Sequence, residues 1–545
     1  MTKADTRTGR VHMRRRGRAT SSPTLPPVQN EQPPMNPTSR RRASSIVRLA
    51  LIPVLALIAL AGWALASPVG ASPDDDYHLT SIWCADGLQN GVCEKAATPD
   101  AREVPYLVAR PTCYVFHADV SASCQLVKHP LDASTTRGNF EGQYPPFFYA
   151  TMRTFVTSDV LSSVVTMRIV NSVLFVGLAS LVCWLLPPRR RTTLFWGIAG
   201  SIVPLGIFII ASVNPSSWAL LSGGVLFVAT AGYLESAGWR KIGLGATAVV
   251  TAFMGGGARS DAAIYAVIAV GAAVLVTVQW NKRFWLSALL PLGIAAMSAV
   301  LFRLGSQVEG AISGAWGPPH MQGSTLNVAF RTLIQLPSLY AGSFGVNWGL
   351  GWLDTIMPAI VWFPAFAVFL ALIFAGLRSM NLWKGIALSG VALVLFVIPF
   401  YLLVHGRFPV GEQIQPRYLT PLIMVLLAVA LWQVGGTVFR LTRVQWWAIV
   451  VSLAVANSIA LHENIRRYVT GTDVPGFNLS SHVEWWWPIS LSPMWAWAIG
   501  SVAFAGALVL ALLEFSPEAR FRIGRRRVDG TAPEPHEELR PVEAL

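Results

Sequence analysis

The chain has 545 residues, of which 53% are hydrophobic and 13% charged, with a formal net charge of +14. A soluble chain of this size would carry roughly 25% charged residues, and many apolar runs here reach the roughly 17–25 residues that cross a hydrocarbon layer. The composition therefore excludes a soluble globular protein and indicates a polytopic membrane protein, whose 21 Trp residues suit the headgroup level. The positive charge sits in two tails and in short loops such as Arg189–Arg191, Arg240–Lys241, Lys282–Arg283 and Arg440–Arg443. That placement is the positive-inside pattern, with anionic lipid rather than nucleic acid as the partner.

Residues 1–45 are rich in Arg, Pro, Ser and Thr and are expected to be a disordered, basic cytoplasmic tail. Ile46 to Ser67 reads as the first span. It has the flanks of a signal peptide, but the tail before it is long and many spans follow, so it is expected to be retained. Apolar runs then predict about twelve spans in all, at 46–67, 165–186, 194–213, 216–234, 242–257, 261–279, 284–302, 355–376, 385–404, 418–438, 444–461 and 492–514. The fifth and sixth are short, and Gly255–Gly257 could form a re-entrant break. With the N-terminus inside, every short basic loop is cytoplasmic, and so is the tail 516–545 with Arg520, Arg522 and Arg525–Arg527. The long loops then face outward: a first extracytoplasmic loop at about 68–150, a second at 303–354, and smaller ones at 405–417 and 462–491. The expected class is an all-α polytopic membrane protein with function on the external face. No repeat of the inverted-transporter kind is evident.

Cys84, Cys93, Cys113 and Cys124 all lie in the first loop, and Cys183 lies in the second span. Four cysteines in one extracytoplasmic loop predict two disulfides with three pairings open. Zinc is less favoured, because neither pair has CxxC spacing.

Six short stretches carry polar chemistry. Pro73-Asp74-Asp75-Asp76-Tyr77-His78 puts carboxylates at a bilayer edge, where they can serve as a general base, hold a divalent cation, or simply cap a loop helix. Tyr144 to Tyr149 is an aromatic run with two prolines, suited to an interface. Asn214-Pro215-Ser216 is a turn that can cap the next helix. Arg259 and Asp261 stand in an apolar stretch, where ionisable groups are costly; they either serve a site or pair with each other. Gly345 to Asp354 combines glycines with Trp348 and Trp352, a platform for a sugar ring or a headgroup. Gln415-Pro416-Arg417-Tyr418 places an arginine fork at a helix mouth, as a phosphate or carboxylate grip or as a snorkelling anchor. No Walker loop, His-Glu-x-x-His pair or Gly-x-Ser-x-Gly elbow is evident.

Taken in order, these motifs resemble a widespread bacterial family of polytopic membrane proteins that looks like a branch of the GT-C glycosyltransferase superfamily. The opening motif of that family is roughly Pro-Asp-Glu-x-x-His; Pro73, Asp74 and His78 match it, with Asp75 where Glu is usual. Gly351-Trp352-Leu353-Asp354 matches a second motif. Gln415-Pro416-Arg417-Tyr418 stands where Gln-Gly-Arg-Tyr is usual, and the proline departs from the pattern. The resemblance covers most of residues 46–515 and implies a GT-C-like transmembrane domain. It implies an inverting transferase in the bacterial plasma membrane, taking sugar from a polyprenyl-phosphate donor and passing it to a cell-envelope glycan or lipid-linked acceptor. Asp74 would be the base, Asp75 its alternative, and a divalent cation (Mg or Mn) could be held by the same pair. Arg417, with Arg259 in reserve, would stabilise the departing phosphate. His78, Tyr144, Asn214, Asp261, Trp352, Asp354, Gln415 and Tyr418 would line the substrate site. The rival expectations are a transporter or flippase of lipid-linked glycans and a non-catalytic envelope-assembly protein.

Overall fold

The structure, a computed structural model, describes residues 37–110, 113–127, 132–306, 320–435 and 440–516. Most of residues 1–45 and all of the C-terminal tail beyond Ser516, with its arginines, lie outside the described residues. The first helix, α1 (Pro37–Leu65), starts earlier than the expected span and takes in residues 37–45, which correct the expectation of disorder at that point.

The protein is a multi-pass membrane protein. Among the described residues, nine helices are long and apolar enough to cross a bilayer. They are α1, α5 (Val160–Leu185), α8 (Ser216–Glu235), α10 (Ser260–Thr277), the pair α11 (Lys282–Ser287) and α12 (Leu289–Phe302), α14 (Ala359–Gly376), α15 (Leu382–Gly406), α17 (Arg443–Val469) and α18 (Pro493–Phe515).

The other three expected spans are helical but depart from a plain apolar rod. The run at 194–213 is split into α6 (Pro188–Ala199) and α7 (Leu205–Ile210). Pro204 cannot donate to the ladder and disfavours helix at the residue before it. The run at 242–257 is the end of α9 (Gly238–Ala258), whose first turn holds Arg240 and Lys241. The run at 418–438 is a shorter helix, α16 (Pro416–Leu431), which stops before Trp432. The second large loop holds a helix that was not expected: α13 (Thr325–Ala341) exposes Leu326, Phe330 and Ile334 on one side and buries Val328, Leu336 and Leu339 on the other.

Helix α8 runs through the centre and is buried along nearly its whole length. Small residues make that possible. A side chain at Gly223 would fall 2.5 Å from the carbonyl oxygen of Pro421, so the glycine lets α16 lie directly against α8.

The first loop folds over the bundle end at which α1 finishes. It holds α2 (Asp75–Trp83), α3 (Tyr106–Ala109), α4 (Phe147–Arg153) and a small antiparallel sheet of β1 (Glu94–Lys95), β2 (Arg102–Pro105) and β3 (Asp132–Thr135), in that order. The sheet corrects the all-α expectation. Outside the hydrocarbon, backbone groups are free to pair between strands. Cys84 bonds to Cys93 and Cys113 to Cys124, which selects the sequential pairing from the three left open. Cys183 is a free, half-buried thiol on α5.

Candidate functional site

From the last turn of α1 to Pro73 the chain is almost wholly buried and passes through bends and turns, where its carbonyls have no regular ladder to satisfy them. Side chains do so instead. Arg168 of α5 donates to the carbonyl oxygens of Ala64, Ser67 and Pro68 at 2.6–2.8 Å. Trp487 donates to Leu65, Asn464 to Ala66, Tyr114 and Gln125 to Val69, and Trp352 to Gly70. Asn214 closes the series on Pro73 at 2.9 Å and, through its own oxygen, caps Ser216 at the start of α8. A buried backbone satisfied in this way has little freedom.

That segment delivers Asp74 in a left-handed conformation, φ 59° and ψ 23°, immediately before α2. Asp is among the few side chains that tolerate this region. Its Oδ2 accepts from Nη2 of Arg417 at 2.5 Å, and its Oδ1 from Nη2 of Arg137 at 3.4 Å. Arg417 stands in the first turn of α16, started by Pro416 at a position where a missing N–H costs nothing. Its side chain is 4% exposed, against 34% for Asp74. Burial alone would raise the Asp74 pKa, but the guanidinium groups of Arg417 and Arg137 hold it below the usual carboxylate range.

The neighbouring carboxylates differ. Asp76 is held by Arg137 at 2.5 Å. Asp75 is fully buried, its Oδ2 accepts the Ser72 N–H at 3.0 Å, and its Oδ1 has no partner. Burial lifts its pKa to about 7 against the pull of Arg168 and the Ser72 hydrogen bond. Asp75, expected as an alternative base, is thus placed as a carboxyl closed off from the half-exposed side of the cluster. The donor set is also a poor seat for a divalent cation. Asp74 has an arginine on each oxygen, Asp75 faces inward, and among the described residues no group of three or more His, Cys, Asp or Glu gathers.

Rings and guanidinium groups complete the cluster. His78 Nδ1 lies 3.0 Å from the Tyr149 hydroxyl, and its ring meets Tyr144 edge-on at 5.3 Å. Burial drives its pKa down to about 3 despite the Asp74 carboxylate, with Arg417 and Arg259 pushing the same way, so the imidazole is neutral. Tyr418 is flanked by two cations, with Arg259 4.5 Å and Arg417 4.9 Å from its ring centre. Arg259 is also clamped by Asp261 at 2.8–2.9 Å. A cavity of about 340 Å³ borders Tyr149, with Ser81, Arg102, Asn139 and Phe140 in its wall.

Asp74, His78, Tyr144, Asn214, Arg259, Asp261, Arg417 and Tyr418 are thus linked through direct contacts or shared neighbours. Gln415 stands at the N-cap position of the same helix without a side-chain cap, its Oε1 buried and unpartnered. Trp352 and Asp354 are not part of the cluster. Trp352 holds Gly70, and Asp354 pairs with Arg467 at 2.9 Å while accepting from the Phe116 N–H. Both brace the buried segment before α2 and the first loop. Sequence reasoning missed Arg137, Arg168, Asn464 and Arg467. Arg168 had a signal, being a charge in an apolar span; Arg137 had none.

No curated protein and no solved structure matches this chain. A family model does match it, over residues 57–426, a stretch that contains the whole cluster from Asp74 to Tyr418. The chain belongs to that family, described as predicted membrane protein (DUF2142).

Proposed function

We propose that the protein is an inverting membrane glycosyltransferase of GT-C type, moving a sugar from a polyprenyl-phosphate donor to a cell-envelope glycan or lipid-linked acceptor. The observation that carries the proposal is the meeting of one half-exposed carboxylate, Asp74, with one deeply buried guanidinium, Arg417, at the end of a membrane-spanning bundle. In this reading Asp74 takes the proton of the acceptor hydroxyl. The hydroxyl oxygen bonds to the anomeric carbon from the face opposite the leaving group, and the bond from that carbon to the phosphate oxygen breaks. The electron pair leaves with the polyprenyl phosphate, whose charge Arg417 and Arg259 receive. Tyr144, which is only partly buried, offers a ring to a sugar, and the cavity beside Tyr149 offers the acceptor room. No step passes through a metal ion, because the donor set does not suit one.

The site is assigned to the extracytoplasmic face of a bacterial plasma membrane, with both termini cytoplasmic. Two disulfides in the loop that bears Asp74 support that side, as does the basic character of the loops at the opposite ends of the helices.

The test is Asp74→Asn in purified protein reconstituted in lipid, assayed with a polyprenyl-phosphate sugar. The variant should fold, still bind donor, and lose transfer by about 10²–10⁴-fold. Transfer at the wild-type rate would remove the base assignment. Lipid-linked glycan crossing the bilayer without any new glycosidic bond would favour the flippase instead.

A further inference from the structure

Arg417 and Asp74 hold each other in a way that bears on how a phosphate enters. A guanidinium presents two edges that can take an anion with paired bonds, one through Nε and Nη2 and the other through Nη1 and Nη2. Nη2 belongs to both. In Arg417, Nη2 is the nitrogen already engaged, donating to Asp74 Oδ2 at 2.5 Å and to the Tyr418 hydroxyl at 2.8 Å. Nε and Nη1 are buried and have no hydrogen-bond partner. Each edge is therefore half free and half taken, and a buried guanidinium with two empty donors is costly unless an anion completes it.

Of the two groups on Nη2, Asp74 is the one able to leave. The Tyr418 ring is fixed between the guanidinium groups of Arg259 and Arg417. Asp74 is the more exposed partner and already touches Arg137, whose side chain is 52% exposed and sits on its other oxygen.

We infer that a phosphate ester seats on Arg417 by displacing Asp74, so that anion binding and release of the carboxylate toward Arg137 are one event. This deepens the transferase reading and rests on it for the meaning of the exchange. The donor would then free the base, and an acceptor arriving first would find Asp74 still bound. As a binding statement it stands without any turnover. The chemistry recognised is a phosphate oxyanion, which a lipid phosphate ester or free phosphate can each present.

The experiment is calorimetric titration of the full chain in nanodiscs with farnesyl phosphate, and separately with inorganic phosphate. Wild-type, Asp74→Asn, Asp76→Asn and Arg417→Gln proteins are compared, each checked for an unchanged melting temperature. Asp74→Asn should bind farnesyl phosphate about tenfold more tightly than wild type, because the competitor is gone. Arg417→Gln should lose binding. Asp76→Asn, which removes an equal charge from the same cluster without touching Arg417, should change little. Saturation by farnesyl phosphate but not by inorganic phosphate assigns the seat to a lipid; the reverse assigns it to a free anion. Equal affinity of wild type and Asp74→Asn overturns the exchange, and so does equal tightening in Asp76→Asn. If binding behaves as expected but no sugar is transferred, the enzyme reading fails and the exchange survives. If the wild type transfers sugar but Asp74→Asn binds no more tightly, the exchange fails and the enzyme reading survives.

Discussion

Arg467, in the last turn of α17, and Asp354, in the loop before α14, lie 2.9 Å apart with side chains 0% and 6% exposed. Arg467 also donates to the carbonyl oxygens of Val120 and Tyr114, so this pair fastens the first loop to the second and to the helix bundle. Removing one member of a buried pair leaves the other charge without compensation, at a cost of about 3–5 kcal/mol. Asp354→Asn should lower the melting temperature in detergent strongly, and Arg467→Met should do the same. Melting curves that overlay wild type would show that the pair is dispensable.

Asp75 sets a pH dependence of opposite sign to the usual carboxylate. In the unfolded chain it titrates near 3.8, and in the folded protein near about 7. Between those values the folded state keeps a proton that the unfolded state has lost, so this group's contribution to stability falls as pH rises through that window and is level above it. Asn at 75 can still accept the Ser72 N–H through its amide oxygen. Asp75→Asn should therefore match wild-type stability near about pH 4 and exceed it increasingly up to about pH 7. A margin that stays constant across the range would count against the buried, protonated carboxyl.

The disulfides make a prediction about covalent structure. Non-reducing peptide mapping should recover Cys84 linked to Cys93 and Cys113 linked to Cys124, with Cys183 free. Each bridge closes a short loop, and loss of one should cost about 2–4 kcal/mol. Reduction should accordingly loosen the first loop, seen as faster amide exchange around α2 and α3, while the membrane helices keep their protection. A crossed pairing in the map would refute the loop's geometry.

The arginines around Asp74 argue for chemistry without a cation. If transfer is observed, excess chelator should leave its rate unchanged, and added Mg or Mn should not raise it. Activity that vanishes on chelation and returns with one metal would require the Asp74 pairs to open and the cluster to be reread.

Much of the bundle was legible because hydrocarbon thickness imposes a length on apolar runs. Each of the twelve expected segments overlaps a helix among the described residues, and departures occur where local chemistry intervenes, as at Pro204 and at Arg240 in α9. Helix α13 was hidden because its apolar residues recur with helical spacing rather than as a run. The site was partly legible. Asp74, His78, Arg259 and Arg417 could be singled out as polar groups at helix mouths. Arg137 could not, since its partner Asp76 lies 61 residues away and only the fold of the first loop joins them. Trp352 and Asp354 looked like site residues by composition. Their real partners, Gly70 and Arg467, are 282 and 113 residues distant, so composition could not distinguish bracing from binding.

The stretch from Ala64 to Pro73 owes its shape to neighbours drawn from across the chain: Tyr114 and Gln125 in one loop, Arg168 in a helix, Asn214 at a turn, Trp352 in another loop, Asn464 near the end of a further helix and Trp487 beyond it. Asp74 is the next residue. Its aim is thus a joint product of regions that otherwise have separate tasks, and disturbance of any of them is felt at one carboxylate. Damage should silence this protein well before it dismantles it, leaving variants that insert and persist in the membrane yet do nothing there.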